Sequence, residues 1–357
     1  MNKRLQNVRK LLEEENLDAL IINGRANTIY NSGFTGSSSV LLIGLEKAWL
    51  VVDFRYTIQA KEQVFEGIEV VEQQESFYKT INGLIDDNSI GSIGFEGNVL
   101  TFSEYQKMKI SLTKAKNFVN LEGSIDKLRI IKGDDEIEII QQAVLLGDKI
   151  FDHIIKFIKP GMKETDVSAE IEYMMKKLGA KGPSFETIVA AGYRSAMCHG
   201  TATDNVIKTG DAVVLDFGLI YRNYCSDMTR TIFIGEPNKE LTKIYGIVRK
   251  AQEAALSGIV SGMKASDADK IARDIITEAG YGEAFGHSLG HGVGVEIHEE
   301  PRLSAKSEDI LTDGMVFSIE PGIYVEDLGG VRIEDMVVLV DGKPRNFTTS
   351  IKDMIII

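Results

Sequence analysis

Hydrophobic and polar positions follow two different periods in the first third of the chain. Between residues 4 and 16 the hydrophobic residues share one helical face, with charges elsewhere: Leu5, Val8, Leu11 and Leu12. Short hydrophobic runs typical of strands occur at 17–23, 39–44, 48–53 and 92–97. A more polar, helix-like segment covers 76–87. Helices mixed with short strands predict an α/β domain that ends near Ser124.

The remaining residues contain a pattern that occurs twice. A helix-favouring stretch from Asp135 to Ile158 ends at a Lys-Pro-Gly stop signal. The related hexads GMKETD (161–166) and GMKASD (262–267) each open a helical stretch, 101 residues apart. Later, VLDFG (214–218) is echoed by SIEPG (318–322), 104 residues on. The matching order and offsets predict a duplicated α/β half arranged about a pseudo-two-fold axis.

Composition restricts the class of protein. The 357 residues, 43% hydrophobic and 26% charged, fit two globular domains, 1–124 and 125–357. The net charge of −13 argues against a phosphate-binding surface and therefore against a nucleic-acid partner. The charged N-terminal segment lacks the apolar core of a signal peptide, and no apolar run reaches the ~18 residues of a membrane helix. With two cysteines, these features predict a cytoplasmic protein without a disulfide framework and without a membrane partner.

Two acids lie at hairpin spacing in the first half. Strand-forming runs flank a predicted turn at 222–223, where the asparagine tolerates a positive φ. A two-residue turn there sets Asp216 opposite Thr229 and Gly218 opposite Asp227. Because side chains alternate along a strand, Asp216 and Asp227 then project from the same face as diagonal neighbours.

The second half carries a matching acidic pair. Glu320 and Glu334 flank a glycine-containing loop near 327–330, and a five-residue loop would set them directly opposite each other. Converging carboxylates repel one another unless a cation lies between them. A pair of divalent cations is the simplest explanation. Carboxylate oxygens favour Mn, Mg or Fe(II), and one imidazole ligand adds Co and Zn to the candidates.

Histidines cluster in one glycine-rich segment. His287, His291 and His298 lie within GHSLGHGVGVEIHEEP, and His199 lies in a turn-rich segment before the first acidic hairpin. The glycines make a helix bearing two histidine ligands improbable and favour an extended strand. His291 and His298 differ by seven positions, so a regular strand would point them to opposite faces. Either a bulge intervenes or the two have different roles. His153, on an apolar helix, is expected to be structural.

The combined residues resemble a known family. The order Asp216, Asp227, His291, Glu320 and Glu334 resembles the five-ligand set of the superfamily of methionine aminopeptidase, prolidase and aminopeptidase P, which shares the pita-bread fold. The motifs are VLDFGLIYRNYCSDMTRT, GHSLGHGVGVEIHEEP, SIEPGIY and GGVRIEDMVVL. The N-terminal region, including DFRYTIQAKEQ at 53–63, is similar to the N-terminal domain of prolidases and aminopeptidases P. That likeness implies a smaller α/β domain that covers the cleft or forms a dimer contact.

The resemblance also implies roles for individual residues. The five ligands would hold two divalent ions, with manganese favoured and Co, Zn or Fe as alternatives, and an activated water would be the nucleophile. Glu320 would carry a proton from that water to the leaving nitrogen. His199 and His298 would stabilise the reacting carbonyl. His287 would line the proline side, and Arg332 would bind the substrate carboxylate or else support Glu334 or Asp335.

The implied activity is hydrolysis of Xaa-Pro bonds in short proline-containing peptides. An Xaa-Pro dipeptidase is favoured, and an Xaa-Pro aminopeptidase acting on longer peptides is the alternative. A non-catalytic binding protein on the same fold is a third possibility, which the intact ligand set argues against. The resemblance further implies a homodimer.

Overall fold

The computed structural model describes residues 2–357 and divides into two compact units. The first extends to Arg129 and the second runs from Ile130 to Ile357. The boundary expected from the sequence, after Ser124, lies five residues earlier than this division. The five residues between the two boundaries include the short 3-10 turn Asp126–Arg129.

The first unit is a mixed sheet with helices. Its helices are α1 (Lys3–Glu14), α2 (Arg25–Ser32), α3 (Thr57–Gln63), α4 (Phe77–Asp87) and α5 (Phe102–Ser111). Its strands are β1 (Ala19–Ile22), β2 (Ser39–Gly44), β3 (Ala48–Val52), β4 (Glu69–Glu72), β5 (Ser92–Phe95) and β6 (Asn117–Asn120). The sheet order is β4-β3-β2-β1-β5-β6. The predicted helices and strands of this region are confirmed, with ends shifted by at most two residues.

Strand alternation divides the core of the first unit between the two faces of the sheet. Leu20 and Ile22 share one hydrophobic cluster with Leu5, Val8 and Leu12 of α1. The alternate residues of the same strand, Ala19 and Ile21, belong to a second cluster that contains Ile81 and Ile85 of α4. Central strands that are covered on both faces are hydrophobic at every position, and in the sequence they therefore appear as continuous apolar runs.

The second unit contains longer helices and several short sheets. Its helices are α6 (Asp134–Phe157), α7 (Glu164–Lys177), α8 (Lys239–Gly258) and α9 (Ala265–Glu278). Its first strands are β7 (Gly182–Pro183), β8 (Ile188–Ala191), β9 (Ala212–Asp216), β10 (Leu219–Tyr221), β11 (Tyr224–Cys225) and β12 (Thr229–Phe233). The later strands are β13 (Gly290–Gly292), β14 (Glu299–Leu303), β15 (Val316–Ile319), β16 (Gly322–Val325), β17 (Gly329–Arg332), β18 (Asp335–Val340), β19 (Lys343–Asn346) and β20 (Ile355–Ile356).

The two halves of this unit repeat the same arrangement. One half has α6 and α7 with the sheet β20-β12-β9-β8, and the other has α8 and α9 with the sheet β14-β13-β15-β18-β19. The repeated hexads make equivalent contacts, since Lys163 bridges Val206 and Lys264 bridges Ile310 in the same antiparallel sense. The predicted internal duplication is therefore confirmed. Because both halves belong to the second unit, the acidic hairpin of each half lies in that same unit.

Two further properties follow from the described residues. Across residues 2–357, helices long enough to cross a bilayer lack the required apolar character. Cys198 and Cys225 are both free thiols.

Candidate metal centre

The first acidic pair is placed by a tight hairpin. Asp216 pairs with Thr229, and Tyr221 pairs with Tyr224, in the register predicted from the sequence. The two turn residues have positive φ values, 46° at 222 and 70° at 223, as a type I′ turn requires. Asp216 and Asp227 therefore lie on one face, and both are buried.

The second acidic pair is placed by the equivalent hairpin of the other half. Ile319 pairs with Asp335 and Gly322 pairs with Arg332, so Glu320 and Glu334 lie opposite each other in that register. The predicted opposition of the two acids is confirmed, but the loop has three residues, 326–328, and not the five expected, because Val325 still pairs with Gly329. Thr229 links the two hairpins, because its hydroxyl donates to Glu334 Oε2 at 2.7 Å.

His291 enters the same site from the edge of the second sheet. It belongs to β13, and the register with β14 shifts between His291 and Gly292, so a bulge is present. His291 Nδ1 lies 3.1 Å from the Gly292 carbonyl oxygen, which only accepts, so Nδ1 carries the hydrogen and Nε2 is left as an acceptor. Nε2 lies 3.6 Å from Asp227 Oδ2 and 3.4 Å from Glu320 Oε1. The ring of His298 lies beside it, with centroids 4.5 Å apart.

The donor atoms fit divalent cations. Among residues 2–357, the buried oxygens that find no hydrogen-bond partner include Asp216 Oδ1, Asp227 Oδ1 and Glu334 Oε1. Potential ligand atoms of Asp227, His291 and Glu334 lie within 4.8 Å of one another. A buried carboxylate oxygen without a partner is costly, and a cation bound between such oxygens would remove that cost. The residues present therefore suit metal binding.

Electrostatics points in the same direction. Burial raises the pKa of Asp227 well above its usual range, and the charges of Asp216 and Glu320 raise it further. The pKa of Glu334 is raised in the same way, by burial first and then by the neighbouring acids. Burial also raises the pKa of Glu320 to about 7, against the opposing charge of Arg332. Without cations, these carboxyls retain protons at pH values where ordinary acids are ionised.

Arg332 is part of this centre. Its guanidinium is buried and pairs with Asp216, and not with either acid considered from the sequence, Glu334 or Asp335. Its other nitrogens donate to Thr229 Oγ1 at 3.1 Å and to Tyr324 Oη at 2.7 Å. Strand alternation places Arg332 on the same side of its hairpin as Glu334, two residues away, where Asp216 of the other hairpin also lies.

Tyr324 is a site residue that the sequence argument did not single out. Its hydroxyl accepts from Arg332 and lies 3.0 Å from His287 Nε2, while His287 Nδ1 faces the Ser288 carbonyl at 2.8 Å. Burial, followed by the charge of Arg332, lowers the pKa of His287 to about 4, so its ring is neutral near pH 7. The available signal was its place in SIEPGIY, four residues after Glu320.

The remaining histidines separate into two groups. The side chains of His199 and His298 are exposed at the centre. Partial desolvation lowers the pKa of His298, and the charges of the neighbouring His291 and His199 lower it further. His153 bonds Glu170 at 2.7 Å between α6 and α7, in keeping with its expected structural role.

Comparisons with known proteins agree with this geometry. Residues 138–341 match the model of metallopeptidase family M24, and residues 4–131 match that of the Creatinase/Prolidase N-terminal domain. An Xaa-Pro dipeptidase of Pyrococcus horikoshii is 40% identical over 358 residues, covering 99% of each chain. The solved structure of an Xaa-Pro dipeptidase from Bacillus anthracis has a TM-score of 0.96 and 42% identity over 99% of each chain. An X-Pro aminopeptidase structure from Thermotoga maritima has a TM-score of 0.91 and 39% identity, over 96% of this chain and 98% of that one.

These matches confirm the fold expected from the motifs, a smaller α/β domain followed by a pita-bread catalytic domain. They also imply that the protein is a peptidase that uses divalent metal. The chain belongs to metallopeptidase family M24 and carries a Creatinase/Prolidase N-terminal domain.

Proposed function

We propose that the protein is an Xaa-Pro dipeptidase with a dinuclear metal centre. The observation that carries this proposal is the convergence of Asp227, His291 and Glu334, with buried carboxylate oxygens lacking any hydrogen-bond partner in the described chain. The two relatives named as Xaa-Pro dipeptidases match nearly the whole chain and support the substrate class.

The proposed ligands are Asp216, Asp227, His291, Glu320 and Glu334, and manganese is the metal we favour over Co, Zn or Fe. When bound, the ions would polarise the scissile carbonyl and lower the pKa of a water molecule. The tautomer of His291 supports its part, because the Nδ1 hydrogen is held by the Gly292 carbonyl and Nε2 faces the acids.

The protein supplies the proton transfers and the charge stabilisation. We assign Glu320 as the group that takes a proton from water and returns it to the proline nitrogen. Its carboxylate lies at the centre, with Oε1 3.4 Å from His291 Nε2, where it can accept a proton from a neighbouring water. His199 and His298 have exposed side chains, and the His298 ring lies beside that of His291. Both are proposed to stabilise the developing charge on the carbonyl oxygen. His287 is proposed to line the proline side.

The substrate's length separates two candidate activities. An Xaa-Pro aminopeptidase is the second candidate, favoured by the similarity to the T. maritima enzyme. A dipeptidase must accommodate a free carboxylate directly after proline, whereas an aminopeptidase must leave room for further residues. The pairing of Arg332 with Asp216 supports a role in orienting a metal ligand, and binding of the substrate carboxylate is the alternative role. The homodimer and the cytoplasmic location stay predictions.

The test compares an Xaa-Pro dipeptide with the same sequence extended by several residues. We expect kcat/KM for the dipeptide to exceed that for the longer peptide by at least about tenfold, because a site closed after proline excludes the extension. Higher kcat/KM for the longer peptide would replace the dipeptidase assignment with the aminopeptidase. Absence of activity on both peptides with added manganese or cobalt would refute the proposed function.

A further inference from the structure

Glu164 is a fully buried acid outside the metal centre. It lies in the first turn of α7, and its side chain has no exposed surface. Its carboxylate accepts hydrogen bonds from Ala191 N at 2.9 Å, Arg194 Nε at 3.1 Å, Thr203 Oγ1 at 2.8 Å and Asn205 Nδ2 at 2.9 Å. A charge this deeply buried is tolerated because its oxygens are satisfied by several donors.

The donors lie at the two ends of a single loop. Ala191 ends β8, and Thr203 and Asn205 lie on the returning arm before β9. Arg194 also donates to the Thr201 carbonyl at 2.7 Å, which ties the outgoing arm to the returning arm. Glu164 and Arg194 therefore close the base of the loop formed by residues 192–205.

His199 lies in the middle of this loop. The adjacent Cys198 carbonyl accepts from Arg332 at 3.3 Å, so the loop contacts the metal centre directly. The His199 side chain itself is exposed, and within residues 2–357 its ring makes no hydrogen bond. The position of this imidazole thus depends on the backbone of the loop, and that backbone is fixed at its base.

The other half holds its own histidine-bearing loop with a different acid–arginine pair. Arg273 pairs with Asp269 and donates to the carbonyls of Phe285 at 2.9 Å and His287 at 2.7 Å. The position equivalent to Glu164 in the repeated hexad is Ala265. The two pairs occupy non-equivalent positions of the duplicated fold, yet each fixes a loop that carries a histidine. The duplication of the fold therefore does not account for the two pairs, and what they have in common is that each holds a histidine-bearing loop.

We propose that Glu164 and Arg194 are positioning residues that hold His199 in place for the reaction. This inference rests on the proposed function for its kinetic consequences. It assigns Glu164 no contact with substrate or metal. Its effect on turnover passes through the position of His199.

The test is a double-mutant cycle on hydrolysis of an Xaa-Pro dipeptide by the manganese-loaded full chain. We expect Glu164→Gln to lower kcat about tenfold or more with little change in metal content. In a His199→Ala background the same substitution should change kcat less than about twofold, because the group it positions is already absent. Glu170→Gln, in the same helix, is the matched control and should leave kcat unchanged.

The outcomes separate this proposal from the proposed function. An equal loss of kcat from Glu164→Gln in both backgrounds would overturn the positioning role. Arg194→Gln, on the loop itself, carries the same test if Glu164→Gln does not fold. If the wild-type chain hydrolyses no Xaa-Pro peptide, the proposed function fails, and amide hydrogen exchange tests the loop contact independently. Arg194→Gln must then speed amide exchange in residues 192–205 and leave exchange unchanged in residues 285–289, the histidine-bearing loop of the other half. Unchanged exchange in both loops would overturn the proposal.

Discussion

The buried carboxyls of the metal centre couple the stability of the metal-free protein to pH. The pKa of Glu320 is raised to about 7 from an ordinary value of 4.5, and Asp227 and Glu334 are raised well above theirs. An acid whose pKa is higher in the folded state binds more protons there than in the unfolded chain. The folded state therefore loses stability as pH rises through the window from 4.5 to 7. Bound divalent cations replace these protons.

Added manganese should consequently stabilise the protein more at about pH 8 than at about pH 6, because protons compete with the metal at the lower value. Thermal denaturation of the chelator-treated protein, with and without manganese, measures the difference. His287, whose pKa is lowered from 6.5 to about 4, changes stability in the opposite sense between those pH values. Because this change is the same with and without manganese, it cancels in the comparison. Glu320→Gln should show a smaller pH dependence in the absence of metal. An equal or larger shift at the lower pH would contradict the assignment of these acids.

Arg332 offers a second test at the residue scale. Its guanidinium contacts Asp216, Thr229 and Tyr324 in a buried position. We expect Arg332→Met to lower metal content, because Asp216 loses the partner that orients it. It should also reduce kcat/KM about equally for an Xaa-Pro dipeptide and for its C-terminal amide. A loss confined to the free carboxylate substrate, with metal content retained, would instead assign Arg332 to carboxylate binding.

At the scale of elements, the hairpin bearing His291 depends on close approach of backbones. A Cβ at Gly290 would collide with the backbone of Ser318 on the neighbouring strand, whereas a Cβ at Gly286 would meet nothing within 4 Å. Both glycines stand in the same segment and have ordinary φ values for other residues. Gly290 therefore keeps β13 against β15 and fixes the position of His291.

Gly290→Ala should reduce metal affinity and kcat by about tenfold or more, because displacing His291 by even ~1 Å moves a proposed metal ligand out of position. Gly286→Ala is the matched control and should retain both properties. Metal titration by calorimetry and steady-state kinetics provide the measurement. Equal behaviour of the two variants would show that the close strand contact does not position His291.

At the scale of the whole molecule, the features that could be predicted from sequence are those with a local or repeated signal. The turn at 222–223 follows from residue type, and its two-residue length determines the register of Asp216 with Thr229. The duplication follows from hexads that recur at a fixed offset. The ligand set required the family resemblance, because spacing alone leaves the role of each acid open.

Other features have no local signal. Helix α2 buries polar residues, including Asn27 and Asn31, which a hydrophobic pattern does not predict. The Asn27 side-chain amide donates to Glu96, a residue distant in the chain, at 2.7 Å. The pairing of Arg332 with Asp216 likewise joins separate halves of the duplicated unit. Such contacts depend on tertiary packing, and the pattern of a single sequence does not predict which distant residues come into contact.

The central claim is that the converging acids and His291 form a metal centre that hydrolyses Xaa-Pro bonds. Its most direct test measures bound metal and Xaa-Pro dipeptide hydrolysis together, in the wild-type chain and in Asp227→Asn. We predict close to two divalent ions per chain and chelator-sensitive hydrolysis for the wild type. Asp227→Asn should lose at least one ion and reduce kcat by about a hundredfold or more, because the amide lacks the charge that binds the cations. Full activity of Asp227→Asn, or wild-type hydrolysis that survives complete metal removal, would contradict the account.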